Sequence, residues 1–407
     1  MTKSRNLVCA LDIGTTKIIA AITEQGADGD WCLIGYGQVP CRGLRKGVVV
    51  DVEKTKVAIV SAIELAEAKA QVKVDSVLVG VAGNHIRCIN SYGIVGIQDG
   101  RVTELDIARV IEAARAVALP DNERTLHVLP QEFFIDGQEG IKDPMNMSGV
   151  RLEAKVHIVV ASDSAVQNII NCVEQCGLHV QDVVLEQLAS SYAVLTKDEM
   201  SQGVCLVDIG GGTADIAVYS GGAIRYSSAI AVAGDQVSND LSIILKTNLS
   251  IADKIKVEHA DINLHNTNSS ETIVVDNAIA SEAMQEYSLK LIAQIVHARY
   301  EEIFVLVLDQ LRRCGFHDRI KSGIVLTGGG SSIKGGDQLA SETFALPVRI
   351  AYPRMPNVKD IMAKPECSTA VGLIEYAYSQ MQSNSDRVFV NKTKVVDKMK
   401  KWLAENF

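Results

Sequence analysis

The sequence predicts an α/β protein whose fold is duplicated into two lobes and carries one small inserted module. A strand, an aspartate and a glycine turn occur at residues 11–17 (LDIGTTK) and again at 207–215 (VDIGGGTAD). A third glycine turn follows at residues 325–331 (VLTGGGS). The first two turns lie about half of the 407-residue chain apart, which indicates internal duplication.

The composition fits a globular chain that is too long for one compact core. Hydrophobic residues make up 47% and charged residues 22% of it. The net charge of −9 argues against nucleic-acid binding, which needs a basic surface. The nine cysteines form no CxxC pair, so we expect buried, reduced thiols and no zinc site. Neither a secretory signal nor a membrane-spanning apolar stretch is present in the sequence, so we expect a cytosolic protein unless something docks it.

Each of the first two glycine turns is predicted to join two strands. Residues 7–13 and 18–23 flank the turn at 14–17, and the same plan recurs at 204–219. The P-loop and the dinucleotide-binding fingerprint instead run from a strand into a helix, and GVAG at 80–83 lacks the rest of the fingerprint. Both of these motifs are therefore excluded.

The segment between the two turns predicts a small α/β module. Residues 76–81 and 86–97 have strand patterns, and residues 105–118 have helical spacing after the candidate N-cap Thr103. Strands at 125–135 and 150–160 bracket a loop at 137–149.

The second half of the chain is predicted to be mostly helical outside its strands. Helices are expected at 239–257, 280–314 and 369–379, with a polar surface loop at 259–272. The stretch 380–386 is polar and is expected to be flexible, and residues 392–407 are amphipathic.

The two hairpins carry the side chains that a phosphate site requires. Glycines let the backbone approach a phosphate, and consecutive amides of the turn form an anion-binding concavity. Asp12 and Asp208 are placed to face Mg²⁺ through its waters. One such turn alone is more often just a tight hairpin, but two copies and a third turn favour a nucleotide site. The candidate residues are Asp12, Gly14, Thr15, Thr16, Lys17, Asp208, Gly210, Gly211, Gly212 and Thr213.

The three turns resemble those of the actin, DnaK-type chaperone and sugar kinase superfamily. This resemblance implies an actin-like two-lobe ATPase fold, with ATP and Mg²⁺ between the lobes. It places Gly328, Gly329, Gly330 and Ser331 under the adenosine, with Gly234 and Asp235 on the other side. Residues 185–195 and 368–376 resemble the two connecting helices. Glu186 matches an acidic or amide residue that orients water, although a solvated glutamate favoured by the helix dipole explains it equally well.

The stretch at 126–159, LHVLPQEFFIDGQEGIKDPMNMSGVRLEAKVHIV, closely resembles the FtsA family of cell division proteins. VCALDIGTTKIIAAI, AVAGDQVSNDL and the amphipathic end also look FtsA-like, so the resemblance covers nearly the whole chain. The implied organisation is lobe 1 (1A) at 1–81, the inserted subdomain 1C at 82–160, the connecting-helix region at 161–197, the lobe 2 (2A) phosphate hairpin at 198–232, subdomain 2B at 233–314, lobe 2 with the adenosine loop at 315–362, the C-terminal helix of lobe 1 at 363–380, a flexible linker at 381–391 and the membrane-targeting helix at 392–407.

The C-terminal segment predicts an amphipathic helix in an anionic lipid interface. Five lysines against two acidic residues give residues 392–407 a side-chain charge of +3. The alternative is a helix that packs on its own domain or on a partner. The candidate membrane residues are Val395, Val396, Lys398, Met399, Lys400, Lys401, Trp402, Leu403 and Phe407.

The resemblance implies an ATP-binding adaptor that polymerises with itself and anchors the FtsZ ring to the cytoplasmic face of the bacterial inner membrane at mid-cell. It further implies contacts with divisome proteins such as FtsN through subdomain 1C, anionic phospholipid as a partner, and at most slow ATP hydrolysis. Two alternatives remain at this point. One is a sugar kinase with Asp235 as general base, and the other is a pilus-assembly ATP-binding protein with a similar insertion.

Overall fold

The structure, a computed structural model, describes residues 6–26, 30–264, 270–276, 284–354 and 362–386. The candidate membrane residues and the predicted linker from residue 387 onward lie outside the described residues. Among the described residues, no helix has both the length and the apolar composition needed to cross a bilayer.

The chain opens with a buried hairpin and a helix that packs against it. Asp51 begins the helix by accepting a hydrogen bond from the Lys54 amide at 3.0 Å. The elements are β1 (Leu7–Ile13), β2 (Lys17–Gln25), β3 (Trp31–Pro40), β4 (Leu44–Arg45), β5 (Val48–Val49), α1 (Val52–Ala70) and β6 (Ser76–Val81).

The inserted module is an antiparallel sheet with one helix and a hydrophobic core of its own. Thr103 and Asp106 form a capping box at the start of the helix, as the N-cap prediction expected. The sheet order is β7-β10-β8-β9. The elements are β7 (Ile86–Gly96), α2 (Glu104–Arg115), β8 (Glu123–Ile135), β9 (Gln138–Ile141) and β10 (Arg151–Ser162).

The chain then returns to the first sheet and completes lobe 1. The added elements are α3 (Asp163–Glu174), β11 (His179–Leu185), α4 (Glu186–Val194) and α5 (Lys197–Gln202). The sheet order is β11-β6-β1-β2-β3, in which β1, β2 and β3 are antiparallel and β6 and β11 run parallel to β1.

Lobe 2 repeats this sheet. Its order is β14-β13-β12-β17-β18, again with an antiparallel hairpin at one side and two parallel strands at the other. The matching order confirms the predicted duplication. The elements are β12 (Val204–Ile209), β13 (Ala214–Ser220), β14 (Ala223–Ile230), α6 (Gly234–Ile244), α7 (Leu249–His259), β15 (Thr272–Asp276), β16 (Met284–Ser288), α8 (Leu289–Arg313), β17 (Ile324–Thr327), α9 (Gly336–Phe344) and β18 (Val348–Ile350).

A last helix, α10 (Ser368–Asp386), crosses α4 at very close range. A Cβ atom added to Gly372 would lie 1.9 Å from the Ala189 carbonyl oxygen, so only glycine fits at this crossing. Both helices share one hydrophobic core with strands of lobe 1 and with β12 and β13 of lobe 2.

Four predictions about secondary structure are wrong. The helix predicted at 239–257 is two helices, because the chain turns at Lys246 with φ +51° and Asn248 caps α7. The helix predicted from 280 begins only at Leu289, since Met284–Ser288 pairs as a strand with Thr272–Asp276.

The other two errors concern polar segments. The loop predicted at 137–149 contains β9. The flexible stretch predicted at 380–386, and the linker predicted to start at 381, are helical to Asp386. This polar stretch holds no glycine or proline, and polar composition alone does not end a helix.

Candidate functional site: a cleft between the two phosphate hairpins

The two glycine turns have the same hydrogen-bonded geometry. The Gly14 amide donates to the Lys17 carbonyl at 3.0 Å, and the Gly210 amide donates to the Thr213 carbonyl at 2.9 Å. Each turn connects two fully paired antiparallel strands, β1 with β2 and β12 with β13. Both turns are therefore presented from the ends of rigid, buried strands.

The two turns face each other across the interlobe cleft. A Cβ atom added to Gly211 would lie 2.3 Å from Thr16 Cγ2, and one added to Gly212 would lie 2.6 Å from Thr15 Oγ1. The Thr15 hydroxyl also accepts a hydrogen bond from the Gly47 amide at 3.3 Å. The approach of the hairpins thus depends on the absence of side chains at positions 211 and 212.

The third glycine turn lies beside the second hairpin, because β17 pairs in parallel with β12. Gly328 has φ +82°, and a Cβ atom there would lie 2.2 Å from Asp208 Oδ1. The Tyr300 hydroxyl donates to the Gly330 carbonyl at 2.7 Å and so ties the turn to α8.

The start of α6 closes another side of the cleft. The amides of Gly234 and Asp235 donate to the carbonyls of Gly210 and Gly211 at 3.1 and 2.7 Å. Lys256 of α7 donates to the Gly234 carbonyl at 3.1 Å and pairs with Asp253 at 3.0 Å.

These elements enclose a cleft of about 710 Å³, a size that suits a nucleotide. Two of the predicted residues do not line it. Ser331 is buried and donates to the Gly328 carbonyl at 2.8 Å, and the carboxylate of Asp235 lies outside the lining. The predicted residues that do line it are Asp12, Gly14, Thr15, Thr16, Lys17, Glu186, Asp208, Gly210, Gly211, Gly212, Thr213, Gly234, Gly328, Gly329 and Gly330.

Four carboxyl groups meet in this cleft, and burial raises the pKa of each. The pKa of Asp12 rises to about 7 and that of Asp215 to about 8, and in both the nearby Asp208 adds to the rise. The pKa of Glu186 is raised well above its usual range by burial and by the other carboxyls. Burial also raises the pKa of Asp208, although Ser190 donates to it at 2.5 Å and opposes the shift.

This carboxyl cluster suits a divalent cation held through water. Asp215 Oδ1 is buried without a hydrogen-bond partner, and hard carboxylate oxygens are the ligands that Mg²⁺ prefers. Within the described parts of the chain, no group of three or more His, Cys, Asp or Glu side chains is arranged to hold a metal directly. The chemistry of these carboxyl groups fits a hydrated divalent cation.

Sequence reasoning missed several residues of this site. Asp215 ends the second motif and lies opposite Asp208 in the hairpin. The strand register of a hairpin with this turn would have predicted that the two carboxyls are neighbours. Lys256 and Glu366 also line the cleft, but they come from distant parts of the chain and carry no local motif. Glu186, the first residue of α4, lines the cleft as well.

Two lobes of one topology around a nucleotide-sized cleft define the class of actin-like ATPase folds. The chain has the fold of MreB 5 of Spiroplasma citri bound to AMPPNP, with a TM-score of 0.58 and 16% identity over 94% of this chain and 99% of that one. It also has the fold found in a PilM–PilN type IV pilus biogenesis complex, with a TM-score of 0.62 and 15% identity over 90% and 97% of the two chains.

Sequence comparison narrows the class to one family. The profile described as the SHS2 domain inserted in FtsA matches residues 83–160, and the profile of cell division protein FtsA matches 205–372. The chain is 46% identical to FtsA of Pseudomonas aeruginosa over 100% of its length and 99% of the relative. It is 38% identical to FtsA of Escherichia coli K12 over 99% of both. The chain belongs to the FtsA family of cell division proteins. This membership excludes the two alternatives from the sequence analysis, the sugar kinase and the pilus-assembly protein.

Proposed function

We propose that this chain binds ATP and Mg²⁺ in the interlobe cleft, polymerises in that state, and anchors FtsZ polymers to the cytoplasmic face of the inner membrane. The observation that carries the proposal is the convergence of three glycine turns and four carboxyl groups with raised pKa on one cleft. Membership of a cell division family supports the cellular role.

Each part of the cleft has an expected task. The turn amides and the hydroxyls of Thr15, Thr16 and Thr213 donate to phosphate oxygens. Asp12 and Asp208 hold water molecules of the hydrated cation. The third turn and the α6–α7 corner receive the adenosine. Binding across both lobes stabilises the closed arrangement, because only that arrangement satisfies both hairpins at once.

We expect ATP hydrolysis to be slow. Glu186 lies in the cleft as a candidate for orienting water, and burial together with the neighbouring carboxyls raises its pKa, which disfavours the charged form. The bound nucleotide then acts mainly as a structural ligand.

Calorimetric titration with ATP and Mg²⁺ tests the nucleotide site. The Gly211→Ala variant places a methyl group against Thr16 and is expected to weaken binding at least tenfold. Gly96→Ala is the matched control, since nothing lies within 4 Å of its added Cβ. No binding by the unaltered chain would refute the proposed site, and equal binding by both variants would refute the role of the hairpin contact.

We propose that FtsZ docks on lobe 2, in an open groove of about 380 Å³ between α6 and α8. Ile243 is 73% exposed beside this groove, and Arg299 lines it while pairing with Asp240 at 2.6 Å. An apolar surface with a charged rim suits a protein segment. Co-sedimentation with FtsZ polymers should weaken in Ile243→Ser and stay unchanged in the control Val57→Ser on α1. Equal co-sedimentation of both variants would refute this groove as the FtsZ-binding site.

FtsN and other divisome proteins are proposed to bind the inserted module.

The membrane contact is proposed for the amphipathic segment 392–407. Each basic residue near an anionic leaflet contributes on the order of 1 kcal/mol, so a single tail binds weakly and reversibly. Polymerisation presents many tails to one surface and raises the overall affinity. Sedimentation with anionic liposomes should pellet the full chain but not a chain that ends at Asp386. Equal pelleting would refute the membrane role of the tail.

A further inference from the structure

An ion pair joins the first phosphate hairpin to the start of α10. Lys17 Nζ lies 2.7 Å from Glu366 Oε2, and the two side chains are 21% and 30% exposed. Lys17 is the last residue of the glycine turn and the first of β2, and Glu366 lies in the short 3-10 turn Pro365–Cys367 that leads into α10. Both residues line the cleft. The lysine that lines the cleft at the first glycine turn is thus already paired with a carboxylate.

The same corner of α10 also contacts the other two glycine turns. Thr369 donates to Asp208 Oδ2 at 3.4 Å, next to the second hairpin. The Gly328 amide of the third turn donates to the Pro365 carbonyl at 3.2 Å. The start of α10 is therefore bonded to the first and third turns and to the aspartate that precedes the second turn.

Phosphate and Glu366 compete for the same cation. A nucleotide phosphate at the first hairpin would draw Lys17 toward itself and would repel the carboxylate of Glu366, because like charges at close range disfavour each other. We propose that Glu366 is a sensing residue: it holds Lys17 in the nucleotide-free chain, loses that partner when phosphate binds, and so couples occupancy of the cleft to α10. This inference rests on the proposed binding of ATP.

The coupling has a direct route along α10. Almost three turns beyond the helix start, Tyr378 stacks on Trp31 of β3 with ring centroids 4.0 Å apart, and its hydroxyl is hydrogen-bonded to Thr23 of β2. A shift at the start of the helix is transmitted to this aromatic contact, because the helix between them is packed in the core. The chain has only two tryptophans, so Trp31 becomes a unique reporter when Trp402 is replaced by Phe.

The test is a double-mutant cycle on ATP affinity, measured by calorimetry with Mg²⁺. Glu366→Gln keeps the shape of the side chain and removes its charge, so ATP should bind roughly 3- to 10-fold tighter, as expected for the loss of one partly exposed ionic competitor. In a Lys17→Gln background, ATP should bind more weakly, and the gain from Glu366→Gln should be clearly smaller, because the competition for Lys17 is gone and only the repulsion between the carboxylate and the phosphate remains. Glu64→Gln on the exposed face of α1 is the control for charge alone and should leave the affinity unchanged.

The second readout is Trp31 fluorescence in Trp402→Phe chains. Saturating ATP should change the emission of the chain that has Glu366, and should change it less in the Glu366→Gln variant. If the ion pair merely stabilises lobe 1, Glu366→Gln will lower the melting temperature without tightening ATP binding, and the inference is refuted. If the unaltered chain binds ATP but the cycle shows no coupling, the inference fails alone. If the unaltered chain binds no ATP, the proposed function fails first and the inference fails with it.

Discussion

Asp215 offers the sharpest test of the buried carboxyl cluster. Its side chain is 3% exposed and accepts one hydrogen bond from Thr213 at 2.8 Å, while Oδ1 has no partner. Burial, aided by Asp208, raises its pKa from 3.8 to about 8. Replacement by Asn preserves the size of the side chain and the bond to Thr213 but removes the charge. We expect Asp215→Asn to stabilise the nucleotide-free protein at pH 8.

The sign and size of this effect follow from proton linkage. Between about pH 4 and pH 8 the folded chain holds a proton on Asp215 that the unfolded chain has released, so this group makes stability fall as pH rises through that range. A shift of about four pKa units corresponds to about 5 kcal/mol as an upper limit. Charges inside proteins are screened more strongly than full burial implies, so we expect a gain on the order of 2 kcal/mol, or roughly 2 to 4 °C in melting temperature for a chain of this size.

The assay is thermal unfolding of both proteins at pH 5 and pH 8, each with and without Mg²⁺ and ATP. The variant should melt above the unaltered chain at pH 8 without ligand, with a smaller difference at pH 5. Mg²⁺ with ATP should stabilise the unaltered chain more than the variant, because the cation relieves the repulsion that the variant lacks. A variant that melts lower at pH 8, with an unchanged pH dependence, would refute the reasoning.

Three further predictions concern packing and positioning. Gly372→Ala should destabilise the fold by about 2 kcal/mol or more, because its methyl group would meet the Ala189 carbonyl at 1.9 Å; a melting temperature equal to that of Gly96→Ala would contradict this. His157→Leu should lower the free energy of unfolding by about 1–3 kcal/mol and speed hydrogen exchange in β14, because the imidazole, which belongs to the inserted module, is hydrogen-bonded to Ser227 of β14 at 2.9 Å. Unchanged exchange would show that this hydrogen bond does not hold the module against β14. Tyr300→Phe removes the hydrogen bond to the Gly330 carbonyl of the third glycine turn and should weaken ATP binding roughly 5-fold. An unchanged dissociation constant would refute a role for that turn in ATP binding.

The hairpins could be predicted from the sequence because their determinants are local. A buried strand, an aspartate and a glycine turn define the strand–turn–strand unit at Asp12, with one glycine, and at Asp208, with three in a row. The structure brings both units to one cleft. The inserted module was predictable for the same reason, since Thr103 and the flanking strand patterns mark its elements.

The remaining features depend on tertiary structure. The ion pair between Lys17 and Glu366 joins opposite ends of the chain, and Lys256 reaches the cleft only because α7 packs beside α6. The break before α7 falls at Lys246, a residue that rarely adopts positive φ, so the sequence gives no glycine signal there. No local pattern encodes these positions.

The central claim is that ATP in the interlobe cleft controls a filament on the membrane. Electron microscopy of the full chain on an anionic lipid monolayer, with and without ATP and Mg²⁺, tests it most directly. We predict filaments on the lipid surface with ATP, far fewer without it, and none on the lipid for a chain that ends at Asp386. Absence of any polymer with ATP, or equal polymer with and without it, would contradict the claim.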